Sequence, residues 1–221
     1  MKLNNLTKKY DKIIFRNINY DFKENNIYSI FGKNGVGKTT LLSIIANQLM
    51  PDEGIVESFE DNIMFISEDI IPFSFLTGKE FVVETLKMKN IDITEDLVIK
   101  TFKKFSMLEA KDKLIVNYSK GMKYKLILIL IVIINPKILI MDEPFADIDI
   151  LTIQIVKEFF DNYKKNKIVI FSTHLISIAS KLSDKILYLS ENNLIELGVN
   201  KKNENEFEKI LLKLMKEEYK L

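Results

Sequence analysis

The sequence contains no cysteine. Disulfides and thiol chemistry are therefore excluded, and the composition suits a reducing compartment. Arginine is nearly missing: Arg16 is the only one, so a planar guanidinium reader of bases or phosphates is scarce. Histidine occurs once, at His174. Neither sign of charge dominates. The 32 basic and 31 acidic side chains leave a net charge of +1, which asks for no nucleic-acid or anionic-membrane partner. Long hydrophobic runs are also lacking. The longest spans residues 126–134 and is ended by Asn135-Pro136-Lys137. It falls well short of the roughly 20 residues that cross a bilayer and reads as a buried helix packed on a sheet. The start, Met1-Lys2-Leu3-Asn4-Asn5, has no apolar segment of a secretory leader. The expectation is a soluble chain whose membrane role, if it has one, comes through another polypeptide.

At 221 residues the chain is long enough for a core plus a subdomain. Apolar alternation predicts short strands at 13–15, 18–22 and 27–31, then 54–59 and 62–66. Helical periodicity predicts helices at 39–50, 79–89, 96–105 (capped by Thr94) and 120–134. Beyond these come a buried strand at 137–141, a helix at 151–163, a buried strand at 167–171, a helix at 176–182 and a strand pair at 185–189 and 193–197. The end, 204–220, is amphipathic, with Phe207, Ile210, Leu211, Leu214 and Met215 on one face. Strands alternating with helices argue an α/β fold with a mostly parallel sheet. The stretch from about 70 to 134 interrupts that alternation and reads as an inserted helical subdomain.

Three motifs carry chemistry. The first is Gly32-Lys33-Asn34-Gly35-Val36-Gly37-Lys38-Thr39, between an apolar strand and an apolar helix. It fits the P-loop or Walker A pattern of a nucleotide-phosphate cradle. Its glycines let backbone N–H groups approach phosphates without a clashing Cβ, and the helix that follows adds the positive end of its dipole. Lys38 places a point charge at the β- and γ-phosphates, and Thr39, followed by Thr40, offers a hydroxyl to Mg²⁺. The second motif is Ile138-Leu139-Ile140-Met141-Asp142-Glu143-Pro144, an apolar strand that delivers two carboxylates at its C-terminal end. Asp142 suits a metal role there, and Glu143 suits a general base acting on water. The third is Asn117-Tyr118-Ser119-Lys120-Gly121-Met122, just before an apolar helix. By itself it reads as a helix cap, or as a second phosphate-binding helix start.

Taken in order, these motifs resemble the ATP-binding subunit of ABC transporters, and the resemblance covers nearly the whole chain. It implies a P-loop NTPase core with a mostly parallel sheet, an antiparallel β subdomain and the inserted helical subdomain, all within one ABC ATP-binding domain over 1–221 that ends in a C-terminal helix at 204–221. It further implies that Tyr10 of Lys9-Tyr10-Asp11 stacks on adenine and that Tyr118 to Met122 is the family's signature motif. Asp149 falls at the aspartate of the D-loop, and His174, after Ile170-Phe171-Ser172-Thr173, becomes the γ-phosphate-sensing histidine. Glu68 stands where the family's Q-loop glutamine falls, as an acceptor for Mg²⁺ or water. The cofactors implied are ATP and Mg²⁺. The partners implied are a membrane-spanning subunit on a separate chain and a second ATP-binding subunit, a homodimer with a heterodimer as the alternative. Ser119 and Gly121 of one subunit would complete the ATP site of the other, at the cytoplasmic face of the cell membrane.

The chain departs from the family pattern twice. The signature usually reads L-S-G-G-Q and here reads Y-S-K-G-M, so Lys120 replaces a glycine and Met122 a polar residue; Glu68 is the second departure. Both resemble a subgroup that serves two-gene exporters of peptides, lipids or drugs. Two competing readings remain: a non-transport ABC ATPase acting in translation, DNA repair or cofactor assembly, and a P-loop kinase for a small molecule. The short 68–119 interval disfavours the DNA-repair type, and a single cassette disfavours the translation type. The ordered Ser119-x-Gly121 and His174 disfavour the kinase.

Overall fold

The chain divides into two compact units, Met1–Glu68 joined with Lys137–Leu221, and Asp69–Pro136. The computed structural model describes residues 1–58, 62–67, 73–145, 150–190, 192–198 and 209–210. In chain order the elements are β1 (Lys2–Lys9), β2 (Ile13–Asp21), β3 (Asn26–Phe31), α1 (Lys38–Ile45), β4 (Glu53–Glu57), β5 (Ile63–Ile66), α2 (Gly78–Met88), α3 (Glu95–Lys104), α4 (Lys120–Ile134), β6 (Ile138–Met141), α5 (Ile150–Tyr163), β7 (Ile168–Thr173), α6 (Ile176–Leu182), β8 (Lys185–Leu189) and β9 (Leu194–Leu197).

The larger unit holds an antiparallel sheet in the order β2-β1-β4 and a second sheet in the order β5-β6-β7-β3-β8-β9. The second is parallel from β5 to β8, and only β9 runs antiparallel. Its middle strands, Ile138-Leu139-Ile140-Met141 and Ile168-Val169-Ile170-Phe171, are buried along their whole length, as parallel strands covered on both faces must be. Helix α1 joins the two sheets: Leu41, Leu42, Ile44 and Ile45 share one core with Leu3, Phe15, Ile30 and Ile140. The register sets the functional edge. Phe31 pairs with Thr173 and Met141 with Phe171, so β3, β6 and β7 all finish at the same side of the sheet. The residues that follow them are Gly32, Asp142-Glu143 and His174. The α/β fold with a mostly parallel sheet and a separate antiparallel sheet is thus present as expected.

Local differences have local causes. The strands expected at 13–15 and 18–22 form one strand, because Asn17 takes a left-handed backbone (φ 53°) and absorbs the break as a bulge. Strand β1 lacks clean alternation for the same reason, with Asn5 at φ 51°. Helix α1 stops at Ile45 rather than near Met50. Asn47 is left-handed (φ 57°) and its N–H turns back to the carbonyl of Ile44. Of the amphipathic segment at the C-terminus, only residues 209–210 are described, and they are helical.

In the smaller unit α2, α3 and α4 pack on one another. Phe81, Val82 and Leu86 of α2 are buried, as are Val98 and Phe102 of α3 and Leu126 to Ile131 of α4. Helix α4 follows the expected span because Ser119 caps its start and Asn135 (φ 51°) ends it. Thr94 caps α3, its hydroxyl accepting the Leu97 N–H.

Helix α2 begins with a reciprocal cap. The Thr77 hydroxyl accepts the Glu80 N–H at 3.2 Å, and the Glu80 carboxylate accepts the Thr77 N–H at 2.8 Å. That backbone bond, with a second from the Thr77 hydroxyl, holds the Glu80 carboxyl below its ordinary value. A carboxyl with a lowered folded pKa stabilises the fold above its unfolded pKa, and loses that contribution as pH falls through the folded value. Thr77→Ala removes the hydroxyl that caps α2 and should lower stability by about 1 kcal/mol in urea unfolding at pH 7. Glu80→Ala should cost stability at pH 7 and progressively less on acidification; an equal loss at both extremes would refute the charge-assisted cap.

Candidate functional site

The site is assembled from three strand ends of the larger unit. After β3 the chain turns through Gly35 (φ +79°) and Gly37 (φ +104°) into α1. At Gly37 the requirement is double. A Cβ there would lie 2.4 Å from Ile14 Cγ2 and 3.3 Å from Phe15 Cδ1, so the loop lies hard against β2. Gly37 also caps α1 without a side-chain acceptor, so no side chain competes for the N–H groups of the first turn. Lys38 is buried and folds back over the loop. Its Nζ donates to the carbonyls of Gly32 (3.0 Å) and Lys33 (3.2 Å) and stands 3.3 Å from Glu143 Oε1.

The end of β6 supplies the two carboxylates. Thr39 Oγ1 donates to Asp142 Oδ2 at 2.6 Å. Asp142 is nearly fully buried. Glu143 has a left-handed backbone (φ 44°), unusual for a residue with a side chain. Its Oε2 lies 3.1 Å from His174 Nδ1, at the end of β7. A carboxylate oxygen only accepts, so Nδ1 carries the proton of that bond. These groups border an open cavity of about 360 Å³ lined by Ile14, Asn34, Gly35, Gly37, Lys38, Thr39, Thr40, Glu143 and His174.

An ammonium, a helix N-terminus and two hydroxyls on one wall suit a polyphosphate. A carboxylate and an imidazole on the other wall suit proton transfer to or from water. Thr39 and Asp142 present two hard oxygens to one point, which fits Mg²⁺: that ion takes one or two protein oxygens and fills its octahedron with water and phosphate. Among the described residues no cluster of three or more His, Cys, Asp or Glu offers an all-protein metal cage.

The structure thus brings together Asn34, Gly35, Gly37, Lys38, Thr39, Thr40, Glu143 and His174, with Asp142 reached through Thr39 and Gly32 through Lys38. Tyr10 does not line the cavity. Its ring is 59% exposed in the turn after β1, with the Lys8 ammonium 5.4 Å from the ring centroid. Ser119 and Gly121 belong to the smaller unit, where the Ser119 hydroxyl accepts the Met122 N–H at 3.2 Å. The preceding Tyr118 is buried and donates its hydroxyl to Ala110 O at 2.6 Å. Glu68 and Asp149 lie outside the described residues. Two residues escaped the sequence analysis. Ile14 walls the cavity and blocks any side chain at Gly37. Ser172 bonds to both Asp142 and Glu143. The only sign of it in sequence was a hydroxyl pair, Ser172-Thr173, closing an apolar buried strand.

A family profile described as ABC transporter matches residues 15–146. An uncharacterised ABC transporter ATP-binding protein of Methanocaldococcus jannaschii is 31% identical over 207 residues, which cover 90% of this chain and 77% of that protein. A bacitracin transport ATP-binding protein of Enterococcus faecalis is 27% identical, covering 87% of this chain and 67% of that protein. A spermidine/putrescine import ATP-binding protein of Mycoplasma mycoides is 25% identical, and this chain spans 63% of its length. Among solved structures, the ADP conformation of an ATP-binding cassette of an ABC transporter superposes with a TM-score of 0.76 at 19% identity, covering 93% of this chain and 92% of that one; the likeness is one of fold. No helix among the described residues is long and apolar enough to cross a membrane.

Proposed function

Because the chain belongs to the ABC transporter family as an ATP-binding subunit with ATPase activity, we propose that it powers export of a peptide, lipid or drug through a separate membrane-spanning subunit. In this reading two copies close head-to-tail around two ATP molecules, at the cytoplasmic face of the membrane. The observation that carries its ATP-hydrolysing role is the contact of Glu143 with both Lys38 and His174 at the glycine-loop cavity. Lys38 and the first-turn N–H groups of α1 hold the β- and γ-phosphates. Glu143 takes a proton from the attacking water, and His174 keeps its carboxylate aimed. Thr39 and Asp142 would hold Mg²⁺, and Glu68 would serve as a further acceptor for the ion or its water. The ion would supply neutralisation of the charge that develops on the phosphates. Tyr10 stacks on adenine. Ser119 and Gly121 of the second copy would meet the γ-phosphate, and Asp149 would serve the contact between copies.

The export direction rests on Glu68 and on the Y-S-K-G-M form of the signature. The relative named for spermidine/putrescine import supports the opposite direction as the alternative. Docking of the membrane subunit is supported by a patch on the smaller unit. Phe73, Phe75, Leu114 and Val116 are all exposed, on two segments tied by hydrogen bonds from Ile115 N to Leu76 O and from Val116 N to Ser74 O. Apolar side chains grouped in this way mark a contact surface.

Purified chain with ATP and Mg²⁺ should release free phosphate. A phosphorylated small molecule in its place would establish a kinase. Tagged in its own cells, the chain should co-purify with a membrane-spanning protein. Phe75→Glu should abolish the co-purification and leave phosphate release at the wild-type rate; retention of the partner would remove the patch from the docking surface.

A further inference from the structure

Ser172 stands at the end of β7, where the apolar run Ile168-Val169-Ile170-Phe171 gives way to Ser172-Thr173. The side chain has no exposure to solvent. Its Oγ accepts the backbone N–H of Glu143 at 2.8 Å and donates to Asp142 Oδ1. One hydroxyl proton is available, and it goes to Asp142, which leaves the other carboxylate oxygen, Oδ2, to face Thr39. The accepted bond holds the Glu143 N–H while that residue keeps its left-handed backbone. Two residues on, His174 holds the carboxylate of the same Glu143. Strand β7 and the residue that follows it therefore hold Glu143 at its backbone and its carboxylate, and Asp142 at one oxygen. The parallel pairing of Met141 with Phe171 brings Ser172 level with the carboxylate pair.

We propose that Ser172 is a positioning residue that sets the aim of both carboxylates, orienting Asp142 Oδ2 toward the metal and fixing the backbone from which Glu143 reaches water. The proposal rests on the reading of Asp142 as metal carboxylate and Glu143 as base. Partners of this kind, behind a metal-binding or catalytic group, typically change metal affinity or activity by about 10- to 100-fold when lost.

The decisive comparison is Ser172→Thr against Ser172→Val. The two side chains have the same shape, and each brings the branch at Cβ that serine lacks, so the difference between them reads the hydroxyl. Ser172→Val should show kcat lower than Ser172→Thr by about 10-fold or more and need a correspondingly higher Mg²⁺ concentration for half-maximal phosphate release. Binding of a fluorescent ATP analogue in EDTA should be the same for both, and thermal unfolding shows how much of each variant is folded. Asp142→Asn and Glu143→Gln are run beside them. Equal kcat and equal Mg²⁺ dependence in the Thr and Val variants, with both carboxylate variants inactive, overturns the role of Ser172 alone. Carboxylate variants that keep wild-type turnover overturn the underlying site reading.

Discussion

Glu143→Gln should bind ATP at least as tightly as the wild type and lose steady-state hydrolysis by about 10²- to 10⁴-fold, the contribution of a positioned general base. The amide keeps the shape of the carboxylate and can still accept a bond from His174 Nδ1, so the site geometry is kept. What it loses is the basicity needed to take a proton from water. It also loses the negative charge that stands 3.3 Å from Lys38 Nζ. Lys38 is then freer to meet a phosphate, and a like charge near the γ-phosphate is gone. Affinity and turnover should therefore separate, read by binding of labelled ATP beside phosphate release. Undiminished turnover would sink the base assignment; unchanged turnover with weaker binding would turn Glu143 into a phosphate-loop support.

Gly37→Ala should weaken ATP binding by about 10-fold or more, with Gly35→Ala distinctly milder. Both residues have positive φ, so a side chain at either meets the left-handed penalty of about 1–2 kcal/mol. Only Gly37 also meets a wall. The new methyl would fall 2.4 Å from Ile14 Cγ2, whereas nothing lies within 4 Å of the same position at Gly35. Ile14 is branched at Cβ and stiff at χ1, and it belongs to a paired strand. Relief must come from the loop, which carries Lys38 away from the place where it serves phosphate. Each 1.4 kcal/mol so lost is tenfold in affinity. Titration of both variants with ATP checks the order, and a Gly35 variant as damaged as the Gly37 variant would show that loop strain alone matters.

Some parts of the fold were legible because their signals are local. The sequence places α4 at 120–134 and α6 at 176–182, and the structure agrees: a cap such as Ser119 and a stop such as Asn135 act within a few residues. Other parts were not legible, because an asparagine can bend the backbone with no warning in the pattern around it. Asn47 ends α1 early, Asn17 fuses two expected strands into one, and Asn5 breaks the alternation of β1. The glycine loop, Asp142-Glu143 and His174 were readable as a site because the required residue types follow apolar strands in a fixed order. Ile14 and Ser172 were not, since their importance lies in what they touch.

Residue identities alone set the chemical inventory: a phosphate loop, two adjacent carboxylates, one histidine and no thiol. Residue type and short spacing suffice for that, because glycine freedom, lysine charge and carboxylate basicity travel with the residues. The tertiary structure decided which of these groups act on one another. Ser172 reaches a carboxylate 30 residues away, and Thr39 reaches the same one across 103 residues. Those distances close only because β3, β6 and β7 run parallel in one register and end at one edge of the sheet, a long-range pairing that short spacings do not encode.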